Sequence, residues 1–322
     1  MTMELKRIGW RHFEFAAPLD WDIVAEGSSR SVFFFRVSDK YRPRLEVRWE
    51  RVPFEKAVGP EEMLKLFKDE WERRLKEYRK RGVKAELKHV YKEEISVRGH
   101  EGLLWAFRVG RETALAALWY CEKSERAVTL VYTPERLDEG LPFFRKLLES
   151  FKCHYESPSE KALWSLLLFD IYLPQSYKLS AARFTAALSY AIFKKPEEYV
   201  YLLVGYSGLA SAILRRYKKG VKEWFEKTLK KEFSSSLKAP LPKLKYEEED
   251  KAKLKFRGES FAIPRSRRRV FNGRVWHDEQ LNRVLAVATL YELRYEEEAV
   301  RVLSDVLKQL AGPARSPVTA PA

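Results

Sequence analysis

Apolar and polar residues alternate along short stretches of the first half of the chain, and two longer stretches carry apolar residues at helical spacing. The first pattern predicts half-buried strands and the second predicts amphipathic helices. Pro60 precedes the first helical stretch and Gly82 follows it, as expected of a helix start and stop. The predicted strands are residues 21–24, 31–37, 44–52, 86–97, 102–109, 114–122 and 127–133, and the predicted helices are residues 61–81 and 140–151.

The second half of the chain repeats blocks of the first half in the same order. Phe13, Phe15, Pro18, Trp21 and Ile23 recur at an offset of 156 as Phe169, Ile171, Pro174, Tyr177 and Leu179. Trp119 and Arg126 recur at 157 as Trp276 and Arg283, and Arg98-Gly99 recurs at 159 as Arg257-Gly258. The helical set Leu64, Phe67, Trp71 and Leu75 recurs at 150 as Leu214, Tyr217, Val221 and Phe225. Four ordered blocks predict a tandem duplication rather than a solenoid.

The predicted organisation is therefore two α+β domains, residues 1–155 and 156–311, joined near Ser157-Pro158-Ser159 and followed by a flexible Pro- and Ala-rich tail, 312–322. A length of 322 residues suits two domains. Strands, helix, strands and helix follow one another in each copy, which predicts a mainly antiparallel sheet packed with helices. This order and the opening Phe13-x-Phe15-x-x-Pro18-x-x-Trp21 resemble the PsbP/Mog-type fold. The resemblance implies a curved sheet between helices and a binding module rather than an enzyme.

Motifs for common chemistries are missing from the sequence. It has no phosphate-binding Gly-x-x-x-x-Gly-Lys-Ser/Thr loop and no dinucleotide-binding Gly-x-Gly-x-x-Gly turn. Cys121 and Cys153 are the only cysteines, lack Cys-x-x-Cys spacing and are interpreted as buried core thiols. The histidines are scattered, so no metal site is expected. We expect no catalytic residues, no cofactor and no small-molecule substrate.

The composition places the protein among soluble, globular chains. No run approaches the about 18 apolar residues of a membrane span, and the N-terminus lacks an export signal, so a cytoplasmic protein without membrane contacts is expected. Asn and Gln total five residues, whereas a third of the chain is charged. Such depletion of thermolabile amides favours a hyperthermophilic origin.

The charge balance carries the functional hypothesis. Lys and Arg number 61 against 46 Asp and Glu, a net charge of +15. Residues 1–155 hold 31 basic and 26 acidic side chains and residues 156–322 hold 30 and 20, so the second copy is the more basic. Three clusters form the candidate nucleic-acid site: Arg79, Lys80, Arg81 and Lys84; Lys238, Lys243 and Lys245; and Arg265, Arg267, Arg268, Arg269, Phe271 and Arg274.

The third cluster is the densest, with four arginines in five positions and no acidic residue between Glu259 and Asp278. Arginine forks match phosphate geometry, and an aromatic side chain can stack on a base. The second cluster coincides with an apparent gain of about nine residues in copy two. The hypothesis is a non-enzymatic RNA-binding protein associated with ribosomes, acting as a translation-silencing or hibernation factor. Two alternatives stay open: a solubilising charged surface, and a scaffold that binds an acidic protein through a pseudo-dimer of its two domains.

Overall fold

A computed structural model describes residues 4–29, 31–82, 85–166, 169–185, 187–238, 240–250 and 252–311. The chain forms two compact units, one mainly from residues up to Ser157 and the other mainly from residues after 168, with 163–167 belonging to the first unit and 158–162 to the second. No helix among the described residues is long and apolar enough to span a membrane.

The first unit contains a short hairpin, a seven-stranded antiparallel sheet and two α-helices. The sheet has the order β3-β4-β5-β9-β8-β7-β6. The elements are β1 (Leu5–Trp10), β2 (Phe13–Pro18), β3 (Asp22–Ser29), β4 (Val32–Ser38), β5 (Pro43–Arg51), α1 (Pro60–Lys80), β6 (Leu87–Val97), β7 (His100–Val109), β8 (Glu112–Cys121), β9 (Arg126–Tyr132) and α2 (Leu137–Ser150).

Helix α1 shows how the sequence pattern produces this packing. Pro60 occupies the first turn with Glu61 and Glu62, where a missing N–H costs nothing and negative charge favours the helix dipole. Its apolar face buries Leu64 and Phe67 against β7, where the Phe67 and Trp105 rings meet edge to face at 6.2 Å. Gly82, at φ +82°, follows the helix in a conformation that favours glycine. The helix thus lies where the sequence predicted it.

The second unit repeats this architecture with an altered helical layer. Its sheet has the order β12-β13-β14-β18-β17-β16-β15. Strand β10 (Lys161–Leu166) is divided between the two units. The elements that follow it are β11 (Phe169–Pro174), β12 (Lys178–Arg183), β13 (Ser189–Lys195), β14 (Val200–Ser207), α3 (Ala210–Leu214), α4 (Gly220–Lys227), α5 (Leu229–Leu237), β15 (Lys245–Asp250), β16 (Lys253–Glu259), β17 (Arg269–Asp278), β18 (Arg283–Glu292) and α6 (Glu296–Leu310).

Matching strand registers confirm that the two sheets are copies. Trp119 on β8 pairs with Val128, and Trp276 on β17 pairs with Leu285, so both partners are related by the predicted offset of 157. Both tryptophans lie on the fifth strand of their sheet. The α+β class and the two homologous sheets follow from the sequence as expected.

One block of the proposed repeat is wrong. Arg98-Gly99 forms the turn between β6 and β7, with φ values of +51° and +83°, whereas Arg257-Gly258 lies within β16. Trp119 pairs with Gly102 and Trp276 pairs with Lys253, so β7 and β16 correspond at an offset of 151. The six-residue gain in copy two therefore falls between β16 and β17, and the offsets of 150 and 151 leave a net gain of only one residue between the helical block and β16.

The predicted long helix of copy two is also wrong. Leu214 ends α3, Tyr217 lies in a turn, and Val221 and Phe225 belong to α4. Gly220, at φ +54°, allows the chain to turn between the two helices. Val221 and Phe225 nevertheless reach the core of the unit, so the apolar positions are retained while the helix is divided.

Candidate nucleic-acid interface

The insertion in copy two forms a loop, residues 261–269, named here the arginine loop. Its base is closed by two hydrogen bonds, from the Ser260 N–H to the Arg269 carbonyl (2.9 Å) and from the Arg269 N–H to the Ser260 hydroxyl (3.0 Å). The Leu293 N–H donates to the Arg268 carbonyl at 2.8 Å, which ties the loop to the residue after β18. A 3-10 turn, Arg265–Arg267, forms its tip. The equivalent connection in copy one is a two-residue turn between β7 and β8.

The arginines of this loop lack acidic partners among the described residues. Arg265, Arg267 and Arg269 are exposed and Arg268 is half-buried. None of the four forms an ion pair with a described carboxylate, in contrast to nearby Arg257, which binds Glu259 at 2.9 Å. Four positive charges are therefore left for solvent or a ligand.

Aromatic rings accompany these guanidinium groups. The Arg269 guanidinium lies 4.7 Å from the Tyr199 ring centroid, and that of Arg268 lies 5.8 Å from the Phe261 ring. Phe261 is 80% exposed and Ile263 is 83% exposed. The loop thus presents a planar aromatic surface beside positive charge, the two features that contact bases and phosphates in single-stranded RNA.

Lys243 and Lys245, named here the lysine segment, lie at the same end of the second sheet as the arginine loop. Lys245 begins β15 and pairs with Arg257 on antiparallel β16, so the start of β15 lies beside the end of β16. Gly258 makes the approach close, because a Cβ there would lie 2.5 Å from the Lys243 carbonyl oxygen. Lys243 and Lys245 are exposed and form no ion pair with a described carboxylate. Two clusters that are separate in sequence therefore lie at the same end of the sheet.

Lys238 and Arg274 occupy different surroundings. Lys238 is exposed and follows α5 with φ +50°. Arg274 lies mid-strand on β17 and lines a groove of about 710 Å³ between this strand and α6. Lys245 and Lys308 also line the groove, so one of its walls adjoins the lysine segment.

Phe271 cannot be part of this surface, and its assignment to the nucleic-acid site is corrected. The residue is fully buried, and its ring packs 5.3 Å from that of Phe256 in the core. Phe271, Gly273 and Val275 are buried in alternation along β17, a period-two signal that is already present in the sequence. The exposed aromatic residue is Phe261, which the sequence analysis did not select.

The cluster at the end of α1 is more fully paired. Arg79 donates to the Ala85 carbonyl at 2.9 Å and lies 3.6 Å from Glu72, and Lys80 binds Glu77 at 2.7 Å. Arg81 is exposed. Lys84 lies outside the described residues. These contacts satisfy helix-terminal charges locally, so the first-unit cluster is a weaker candidate than the arginine loop.

A second group of side chains of metal-ligating type, which the sequence spacing did not reveal, lies in the first unit. One ligand atom each of His100, Cys121, Cys153 and His154 falls within 4.8 Å of the others. Both cysteines are buried and neither forms a disulfide, as expected of core thiols. A hydrogen bond between the two thiols lowers the pKa of Cys121 and raises the pKa of Cys153. Two of the five histidines that are scattered in sequence, His100 and His154, therefore lie beside the thiols.

Comparison with known proteins gives a distant likeness in fold only. The sequence matches no described protein family and no curated protein. Cyanobacterial PsbP (CyanoP) from Synechocystis sp. PCC 6803 is 18% identical, with a TM-score of 0.37, over 47% of this chain and 94% of that one. A protein from Bacteroides thetaiotaomicron VPI-5482 is 11% identical, with a TM-score of 0.28, over 51% and 53% of the two chains. MucB in complex with MucA(peri) is 8% identical, with a TM-score of 0.14, over 86% and 76%.

Proposed function

We propose that this protein binds RNA without catalysing a reaction, through the end of the second sheet that carries the arginine loop. The supporting observation is that Lys243, Lys245 and the four arginines of that loop lie at this end of the sheet and form no ion pair with a described carboxylate. Neutralising a phosphate with each cation releases condensed counterions, which favours binding at low salt. The exposed ring of Phe261 is placed to stack on an unpaired base.

The insertion supports a ligand-binding role over a merely solubilising one. Copy one forms the same hairpin with a two-residue turn, so the fold does not require the extra residues. Exposed charges that only improve solubility are usually interspersed with charges of the opposite sign. Here four arginines occur in five positions, and none forms an ion pair with a described carboxylate, because the nearby Glu259 and Glu292 bind Arg257 and Arg294 instead.

We further propose ribosomal RNA, in the cytosol, as the partner. Ribosomes present the largest accessible polyanionic surface there, and a protein that occupies such a surface would silence translation, as a hibernation factor does. The alternative partner is an acidic protein. Exposed Ile263 beside the arginines favours it, because apolar anchors surrounded by arginine are typical of protein interfaces.

A charge-matched pair of triple variants tests the proposal. Replacing exposed Arg265, Arg267 and Arg269 with alanine should weaken binding to RNA of any sequence and lower the salt slope by about one unit per lost phosphate contact. The control replaces Arg79, Lys80 and Arg81 with alanine, which removes the same charge from the first unit.

The control should retain most of the affinity, because two of its three cations are already paired. Filter binding or anisotropy at several salt concentrations gives both the affinity and the slope. Equal losses in the two variants would show that only net charge matters. Unchanged affinity in the arginine-loop variant would refute the assignment of the site.

A further inference from the structure

Four side chains of the first unit form a set that binds zinc in many proteins. We propose that His100, Cys121, Cys153 and His154 hold a structural zinc ion in tetrahedral Cys2His2 coordination. The proposal is independent of RNA binding, since every residue that it involves belongs to the first unit.

The separations suit tetrahedral coordination. Zinc bonds of about 2.3 Å to sulfur and about 2.0 Å to nitrogen place neighbouring ligand atoms roughly 3.3–3.8 Å apart. The Nδ1 atom of His154 lies 3.3 Å from the Sγ atoms of both Cys121 and Cys153. All four ligand atoms fall within 4.8 Å of one another, so small side-chain rotations are enough to close the set around one ion.

His154 is oriented like a metal-binding histidine, with one ring nitrogen toward the sulfur atoms and the other toward a carboxylate. Its Nε2 atom lies 3.1 Å from the Glu156 carboxylate while Nδ1 faces the two thiols. A proton on Nε2 that is donated to Glu156 leaves the Nδ1 lone pair directed at the sulfur atoms. Carboxylates hold zinc-binding histidines in this way in other proteins. Lys123 and Arg98 in turn contact Glu156 and fix its position.

His100 contributes an unsatisfied polar atom. Its Nε2 is buried and has no hydrogen-bond partner among the described residues. A buried polar atom without a partner is destabilising, so an ion that used this atom would remove that cost. The His100 ring lies 5.5 Å from the His154 ring. Gly102 on β7 pairs with Trp119 on β8, and extending this register by two residues places His100 opposite Cys121.

Burial favours a structural site over a catalytic one. Cys121 is fully buried and Cys153 is 1% exposed, so a substrate cannot reach either sulfur atom. Four protein ligands also leave no open position for a substrate or a reactive water, which is typical of structural zinc. Metal binding replaces the two thiol protons and releases them to solvent.

The site would fix the chain where it leaves the first domain. His100 begins β7, Cys121 ends β8, and Cys153 and His154 follow α2. Lys152 already pairs with Glu14 on β2 through two backbone hydrogen bonds of 2.7 and 3.1 Å. A zinc ion would add a second attachment, between the end of α2 and the sheet. Copy two has Asp278 at the position of Cys121, so the shared fold does not require the site.

Cobalt binding to the full-length protein tests the proposal. The chain is purified under reducing conditions, stripped with a chelator and titrated with Co²⁺. We expect one equivalent to bind with the intense absorption of tetrahedral cobalt and a thiolate-to-cobalt charge-transfer band, and Zn²⁺ should displace it. Binding below a tenth of an equivalent would overturn the proposal.

Variants separate this site from adventitious binding. Cys121→Ser and Cys153→Ser should each lose the original charge-transfer spectrum. Glu156→Gln should keep one equivalent but bind it about 10–100-fold more weakly. Glu156 is 53% exposed, so this variant remains informative if a cysteine variant fails to fold. His277→Gln, in the second unit, is the matched control and should bind like the parent. A spectrum that survives in both serine variants would contradict the assignment.

Discussion

Phe261 and Phe271 flank the same run of arginines but have opposite environments. Phe261 is 80% exposed on the arginine loop, whereas Phe271 is fully buried on β17. The difference follows from backbone geometry, because side chains alternate between the two faces of a strand and Phe271 shares its face with buried Val275. Residue type alone did not distinguish them.

Alanine substitutions at the two phenylalanines should have different effects, one on RNA binding and the other on stability. Phe261→Ala should leave the unfolding midpoint nearly unchanged and weaken binding to single-stranded RNA by about 1–3 kcal/mol, the value of one stacked base. Phe271→Ala should cost about 3–5 kcal/mol of stability, because it opens a cavity beside Phe256. Chemical denaturation and RNA titration of both variants measure these effects. A Phe261→Ala protein that binds RNA like the parent would exclude stacking at this position.

The cysteine and histidine cluster shows a limit of sequence analysis at the same scale. His100 and Cys121 are 21 positions apart, and Cys153 lies 32 positions further on, so no short motif contains them. They meet because β7 and β8 pair in a particular register and α2 returns the chain to the same end of the sheet. Register is set by the packing of whole strands, which local residue spacing does not specify.

Among the elements, most of those of copy one were predicted to within a few residues, but β1 and β2 were not predicted and β3 extends to Ser29, beyond the expected strand 21–24. Helix α1 was expected at 61–81 and spans Pro60–Lys80, because proline, glycine and an apolar stripe mark its ends and its face. The helical region of copy two was not predictable in this way. A turn before Gly220 interrupts the helix that the apolar spacing predicted. The apolar residues still pack in the core, although the helix is not continuous.

The arginine loop allows an element-scale prediction. Replacing residues 261–268 with Asn-Gly should restore a short hairpin like that of copy one, since this pair favours tight β-turns. The fold should be retained, because the replaced residues contain no core side chain among those described. RNA affinity should fall at least as far as in the triple arginine variant. Circular dichroism and RNA titration provide the measurements, and undiminished binding by the shortened, folded protein would contradict the proposed interface.

At the scale of the whole molecule, two copies of one sheet carry different local additions. The second has gained the arginine loop, and the first has the cysteine and histidine cluster, with Asp278 in place of Cys121 in its counterpart. Repeated apolar blocks made the duplication predictable because both copies need the same core positions. The functional surfaces were only partly predictable, since the approach of Lys243 to β16 depends on the pairing of β15 with β16.

The whole protein should show a steep dependence of RNA affinity on salt. If the six unpaired cations at the end of the second sheet each contact one phosphate, affinity should fall on the order of a thousandfold between roughly 50 and 200 mM salt. The six are Lys243, Lys245, Arg265, Arg267, Arg268 and Arg269. Titration of a labelled RNA across this range measures how affinity changes with salt concentration. An affinity that does not change with salt would show that these cations do not contact phosphates.

The most direct test of the central claim is co-sedimentation of the full-length protein with ribosomes on sucrose gradients. The protein should migrate with ribosomal particles at low salt, leave them at high salt, and return to the top of the gradient after nuclease digestion. The variant with Arg265, Arg267 and Arg269 replaced by alanine should stay near the top throughout. A parent protein that never enters the ribosomal fractions, or a partner that survives nuclease treatment, would contradict binding through RNA.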